Sequence, residues 1–171
     1  AQMLGGVPVP MYQDAVAAEM AFVLTDGAIR FAIVEDQEQV DKLLEIRVLC
    51  PQLGHVFFDD PRGLRDYDEP GLASIDELLA AGKAFAGQHP DFFRQQVELA
   101  KPDDVAAMFF TSGTTGNPKG VVHTHDSLLD RARAGADFDK LTENEEVLAY
   151  LSPAWIGQNI FSFAQWLACG Y

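Results

Sequence analysis

The sequence predicts an α/β protein with mostly parallel sheets flanked by helices, and three observations predict it. Short apolar runs alternate with segments of helical spacing in the order strand, helix, strand, helix, strand as far as Phe58, the rhythm of a parallel sheet with covering helices. The 171 residues are 48% hydrophobic and 22% charged, the balance of a globular protein with enough apolar chain for one core. No apolar run approaches the roughly 18 to 20 residues that cross a bilayer, so the apolar segments read as buried strands and helices.

The elements follow in order. Gly6 to Met11 (GVPVPM) is apolar but punctuated by prolines, which suits a strand near a sheet edge. Asp14 is positioned to cap a helix through about Thr25, with Val16, Met20, Val23 and Leu24 at helical spacing and Gly27 as C-cap. Arg30 to Val34 is a compact apolar run that reads as a strand buried on both faces. Gln37 to Leu49 carries Val40, Leu43, Leu44 and Val48 on one side, which makes it a covering helix that Pro51 ends. His55 to Phe58 is the next strand. Asp59 to Gly71 is polar and rich in turn residues, a surface loop. Ser74-Ile-Asp-Glu77 fits a capping box and starts a helix toward Lys83.

Pro90 to Leu99 is a helix with Phe92, Phe93 and Val97 as its apolar face, and Lys101 to Asp104 a polar break. Val105 to Thr111 is a strand and Gly120 to His123 a short one. Asp126 or Thr124 caps a helix to about Ala136. Thr142 to Glu146 is an acidic turn, Val147 to Leu151 a buried strand, and Ile156 to Cys169 a strongly apolar helix. Ala1 in place of Met, and an apolar segment that meets no stop signal before Gly170-Tyr171, read as an excerpt of a longer protein.

The formal net charge of -14 argues against a nucleic-acid surface, which needs clustered Lys and Arg, and reads instead as solubility. Cys50 and Cys169 lie far apart and match no metal-ligand spacing, so they read as buried or free thiols. No zinc spacing occurs among the histidines; His55 reads as structural. His123 and His125 flank Thr124 in packing or capping positions, with a pocket contact the alternative for His125. With no signal-peptide pattern, the expected location is cytoplasmic.

The chemistry concentrates in Phe109 to His125, FFTSGTTGNPKGVVHTH. Glycines let a backbone come close to a ligand, and successive N–H groups in such a turn form an anion cradle. Thr111, Ser112, Thr114 and Thr115 add hydroxyl donors, and Lys119 adds a compact positive charge. The reading is a strand running into a loop that grips phosphate. It is not a Walker A loop: Pro118 stands where a glycine is required and Gly120 where a hydroxyl is required, and a proline has no N–H to give.

Phe110 through Gly120 instead closely resembles the signature loop of the AMP-forming ligases, an aromatic residue followed by T-S-G-[ST]-T-G-x-P-K-G, with no departure at a fixed position. VEDQEQVDKLLE and FFDDPRGL are similar to the long-chain acyl-CoA synthetase branch. The resemblance implies that residues 1–171 are part of that superfamily's large N-terminal adenylation domain, without the C-terminal domain. It implies activation of a fatty acid by ATP to acyl-AMP and pyrophosphate, then thioester formation with CoA, with Mg²⁺ as the metal. It assigns Thr111, Ser112, Gly113, Thr114, Thr115, Gly116 and Lys119 to the nucleotide phosphates and Thr114 to the magnesium. In relatives a Leu-Pro-x-x-His segment follows the next strand; here Trp155 takes the histidine's place in Leu151-Ser152-Pro153-Ala154-Trp155, so the indole either lines an acyl pocket or fills core.

The family's Tyr-Gly-x-Thr-Glu segment, Thr-Gly-Asp ribose contact and C-terminal catalytic lysine are expected downstream of Tyr171, so the 171 residues alone are expected to be inactive. The implied partners are small molecules, namely ATP, a fatty acid and CoA. No transmembrane segment is expected; peripheral membrane association and homo-oligomer formation stay open. Competing readings are an aryl-CoA or acyl-AMP ligase, and a non-catalytic nucleotide-binding module.

Overall fold

The computed structural model describes residues 1–111 and 118–171, and the chain divides into two units, Gln13–Phe93 and Ala1–Tyr12 with Arg94–Tyr171. In the first, helix α1 (Ala17–Asp26) leads to strand β1 (Phe31–Val34), helix α2 (Gln37–Glu45), strands β2 (His55–Phe58) and β3 (Leu72–Ser74), and helix α3 (Ile75–Gln88). The strands form a parallel sheet in the order β1-β2-β3, with Phe31 opposite His55 and Val56 opposite Leu72. The predicted parallel sheet with helices is therefore present.

Its core is apolar packing from α1 and α2: Leu24, Val40, Leu43 and Cys50 are fully buried. Burying side chains of this size is worth about 1.5 to 3 kcal/mol each. Asp36 caps α2 by accepting from Glu38 N–H at 2.9 Å, while Gln39 Oε1 accepts from Asp36 N–H at 3.2 Å, a reciprocal box that satisfies two end donors. The predicted Ser74–Glu77 box opens α3, with Glu77 N–H donating to Ser74 Oγ at 3.2 Å and Ser74 N–H to Glu77 Oε2 at 2.8 Å. Those bonds to the charged carboxylate hold Glu77 below the usual glutamate range.

The 59–71 loop joins two parallel strands without a crossover helix and is pinned to α2 instead. Gln37 Nε2 donates to Tyr67 Oη at 2.8 Å, and Tyr67 Oη donates to Asp41 Oδ1 at 2.6 Å. The bond to the Asp41 carboxylate raises the Tyr67 hydroxyl above its ordinary value. Leu64 is buried, and Arg47 donates to the Pro70 carbonyl. Gly71, at φ 79°, closes the loop: its carbonyl accepts from Val56 N–H at 2.9 Å, and a side chain there would collide with the Gly54 carbonyl.

The second unit holds strands β4 (Val105–Thr111) and β5 (Lys119–Thr124), which pair antiparallel, and helix α5 (His125–Asp139). Helix α4 (Phe92–Leu99) crosses the boundary in sequence. Thr124 caps α5, accepting from Ser127 N–H at 3.1 Å. The chain ends in a helical run made of α6 (Ile156–Gln158), a π-helical segment Asn159–Ala164 and α7 (Gln165–Cys169), which packs on α5; Ala132 and Ala136 of α5 and Ala164 of the run are buried.

Several expectations are corrected. Residues 6–11 form no strand: Pro8 and Pro10 lack the N–H a ladder needs, and the segment's backbone bonds run from Gly6 N–H to Ala1 O and from Met108 N–H to Pro8 O, both at 3.1 Å. Residues 147–151 form no strand either, and Leu148 and Tyr150 are exposed. Asp14 is no cap; α1 starts at Ala17 with Val16 as N-cap, and Asp14 lies in the preceding turn. β1 is buried on one face only, with Phe31 57% and Ile33 67% exposed. The covering helix stops at Glu45, a 3₁₀ turn carries Arg47–Leu49, and Val48 faces out. α4 buries none of its residues, so Phe92, Phe93 and Val97 are no buried face. Cys50 and Cys169 are free, as expected, and Cys50 Sγ donates to Ala21 O at 3.8 Å.

Candidate functional site

The β4–β5 hairpin builds the candidate site from its register. Thr111 pairs with Lys119, Phe109 with Val121 and Ala107 with His123, so these six side chains share one face. Within that face the chemistry is graded. Ala107 and Phe109 are buried, His123 meets the Phe109 ring edge-on at 5.8 Å between centroids, and Thr111 and Lys119 are exposed. An apolar body thus anchors a hairpin whose loop end carries a hydroxyl and an ammonium directly across from each other.

Ser112, Gly113, Thr114, Thr115 and Gly116 lie outside the described residues, as does the metal role expected of Thr114. Among the described residues no cluster of three His, Cys, Asp or Glu is arranged to hold a metal. Lys119, exposed at the start of β5, is a compact ammonium that could donate to phosphate oxygens.

The other expected residues are not brought to this end. His125 is the first residue of α5, at the far end of β5, roughly 20 Å from Lys119 along six strand residues. Its N–H donates to Asp104 O at 3.2 Å, and it lines a cavity of about 280 Å³ with Gln2, Val7, Leu99 and Asp104 among others. Sequence reasoning missed that cavity because its walls come from four separate segments. His123 packs on Phe109, the packing reading made of it, and His55 stacks between Phe31 and Phe57 at 5.7 and 6.0 Å.

Trp155 is 47% exposed, and its indole lies over its own backbone at Gly157, where a Cβ would stand 2.5 Å from the ring. Asn159 Nδ2 donates to Pro153 O at 2.9 Å, and Leu151 N–H donates to Gln158 Oε1 at 3.2 Å, so the turn that presents Trp155 is held from within.

The comparisons with known proteins agree with this architecture. A long-chain-fatty-acid–CoA ligase of Xenopus laevis, ACSBG2, is 28% identical across 98% of this chain, and its human counterpart of the same name is 32% identical across 87%. The chain spans 22% of the length of each. Among solved structures, the anthranilate CoA ligase AuaEII in complex with anthranoyl-AMP aligns with a TM-score of 0.69 at 23% identity, covering 98% of this chain and 30% of that one. ATP-bound MatB from Rhodopseudomonas palustris aligns at 0.63 and 20% identity, covering 96% of this chain and 29% of that one. These two likenesses show the shared fold. The sequence model described as AMP-binding enzyme matches residues 1–171 from end to end, and on that match the chain belongs to the AMP-binding enzyme family.

Proposed function

We propose that this chain is the nucleotide-phosphate-gripping part of an ATP-dependent acid–thiol ligase that activates a long-chain fatty acid as acyl-AMP, releases pyrophosphate, and passes the acyl group to CoA. The observation that carries this reading is the hairpin: Thr111 and Lys119 stand exposed and paired at the mouth of the segment TSGTTGNPKG. A carboxylate is a weak nucleophile toward phosphorus, so the enzyme's work is positioning and neutralising phosphate charge. Lys119 supplies the ammonium, and Thr111, Ser112, Thr114 and Thr115 supply hydroxyls, with the Gly113 and Gly116 backbone close to the phosphates. Magnesium supplies further charge neutralisation when bound, with Thr114 as the hydroxyl that meets it. Trp155 and His125 are proposed as pocket residues for the acid, His125 the weaker of the two because of its distance from the mouth.

A long-chain acid is supported by the relatives named for it in Xenopus and human. An aryl acid is the second reading, supported by the anthranilate ligase among the solved structures. The adenylation step, and with it the choice of acid, is tested in the whole protein by pyrophosphate exchange into ATP with the acid varied. Exchange that depends on palmitate supports the first reading, exchange that depends on benzoate or anthranilate the second, and exchange with neither contradicts both. In the 171 residues by themselves, acyl-CoA formation is expected to be absent, and its detection would overturn the assignment of the remaining steps to other residues.

A further inference from the structure

The helical run at the end of the chain combines three features that the proposed reaction does not use. Asn159–Ala164 is π-helical, between the α-helical turns Ile156–Gln158 and Gln165–Cys169. A π segment is an α-helix carrying one surplus residue, and it persists only where packing holds it. The residue that follows it, Gln165, is 4% exposed, and its Nε2 has no hydrogen-bond partner among the described residues. A buried donor left without an acceptor forfeits its bonds to water. That amide sits in a notch on α5: a Cβ at Gly135 would stand 2.8 Å from Gln165 Nε2, and the notch is flanked by buried Ala132 and Ala136.

We propose that the run Ile156–Cys169 is a two-register element, latched in the π register by Gln165 in the Gly135 notch and released by contraction to a regular α-helix. Each α-helical residue turns about 100° and rises about 1.5 Å. If the turns before Asn159 stay fixed and the surplus residue is wound in, every later residue advances by one step. Gln165 then swings about 100° out of the notch to where water satisfies its amide, and Ala164 takes the place facing Gly135. Ala164 is small enough for a notch lined by Gly and Ala, and the second register gives up the volume that the Gln165 side chain fills in the first. The same step carries Trp166 and Leu167, both about half exposed, to a different part of the surface. The stranded amide is what makes the two registers close in energy. This device stands whether or not the chain activates acids.

Two variants of the 171-residue chain test it by relaxation dispersion, which reads microsecond-to-millisecond exchange at each backbone amide. The native chain is expected to show exchange confined to about residues 159–169 and absent from the middle of α5. Gln165→Met keeps the length and volume and removes the donor; it is expected to quench that exchange and slow hydrogen exchange of the 159–164 amides by about tenfold or more, the effect of roughly 1.4 kcal/mol. Deleting Phe161, an exposed member of the π segment, removes the surplus residue while leaving Gln165 opposite Gly135, and is expected to give a folded chain without dispersion. Flat dispersion in the native chain, undiminished exchange in Gln165→Met, or loss of folding on deleting Phe161 each overturns the proposal.

Discussion

The three-stranded sheet β1–β2–β3 and the β4–β5 hairpin use apolar strands to different ends. The sheet's strands are tied into their surroundings at their edges: Asp36 and Ser74 cap the adjoining helices, and the Gln37–Tyr67–Asp41 chain fastens the long loop between β2 and β3. Its polar groups are spent on one another. The hairpin buries Ala106, Ala107 and Phe109 in its body and leaves Thr111 and Lys119 exposed at its mouth. The difference separates polar groups that hold a fold from exposed polar groups that the proposed function assigns to a ligand, and the two kinds should respond differently to substitution.

The largest effect that sharpens this contrast is expected in the sheet unit's core. Leu43→Ala, at a site 1% exposed, should cost about 2 to 5 kcal/mol of stability in denaturant titration, by lost burial and a residual cavity. Gly71→Ala should cost about 2 kcal/mol or more, because it forces a side chain to a positive φ and against the Gly54 carbonyl; hydrogen exchange should rise along β3 and leave β4 and β5 unchanged. In the hairpin unit, Thr124→Ala should cost about 1 kcal/mol by removing the acceptor for Ser127 N–H at the start of α5.

The smallest effect is a pH dependence. Glu77 is held below its ordinary value by bonds from Ser74 that favour the charged form, so its contribution is fully present above the unfolded-state glutamate value of 4.5 and is lost as pH falls through the lower folded value. Because the site is fully exposed, the effect is a modest fall in the urea midpoint below that pH, absent in Glu77→Gln. A midpoint that falls equally in both chains would remove the capping carboxylate from the account.

Sequence reasoning reached β4 to the residue, both ends of the α3 capping box and, as one of two candidates with Asp126, the Thr124 cap, because each rests on local chemistry: an apolar run stopped by polar residues, or a hydroxyl three residues before its partner. It missed β3, since Leu72-Ala-Ser74 has no apolar run and owes its pairing to the Gly71 turn and to β2. It overread residues 6–11 and 147–151, where apolar runs suggested strands that no strand among the described residues pairs with. The π segment was equally illegible, because nothing local in Asn159–Ala164 distinguishes it from the α-helix that its apolar residues predict. Of the candidate site, the motif TSGTTGNPKG was legible residue by residue, whereas the pairing of Thr111 with Lys119 and the separation of His125 from both needed the register.

The central claim is that Lys119 is held out at the hairpin mouth to take nucleotide phosphate. Titrating Mg-ATP against the native chain and Lys119→Met tests it most directly, with Lys140→Met, at the C-cap of α5, as the charge-matched control. The expected result is a loss of affinity of about 10- to 100-fold in Lys119→Met, the worth of a charge-assisted hydrogen bond of about 1.5 to 3 kcal/mol, and none in Lys140→Met. Equal affinity in the native chain and Lys119→Met would contradict it.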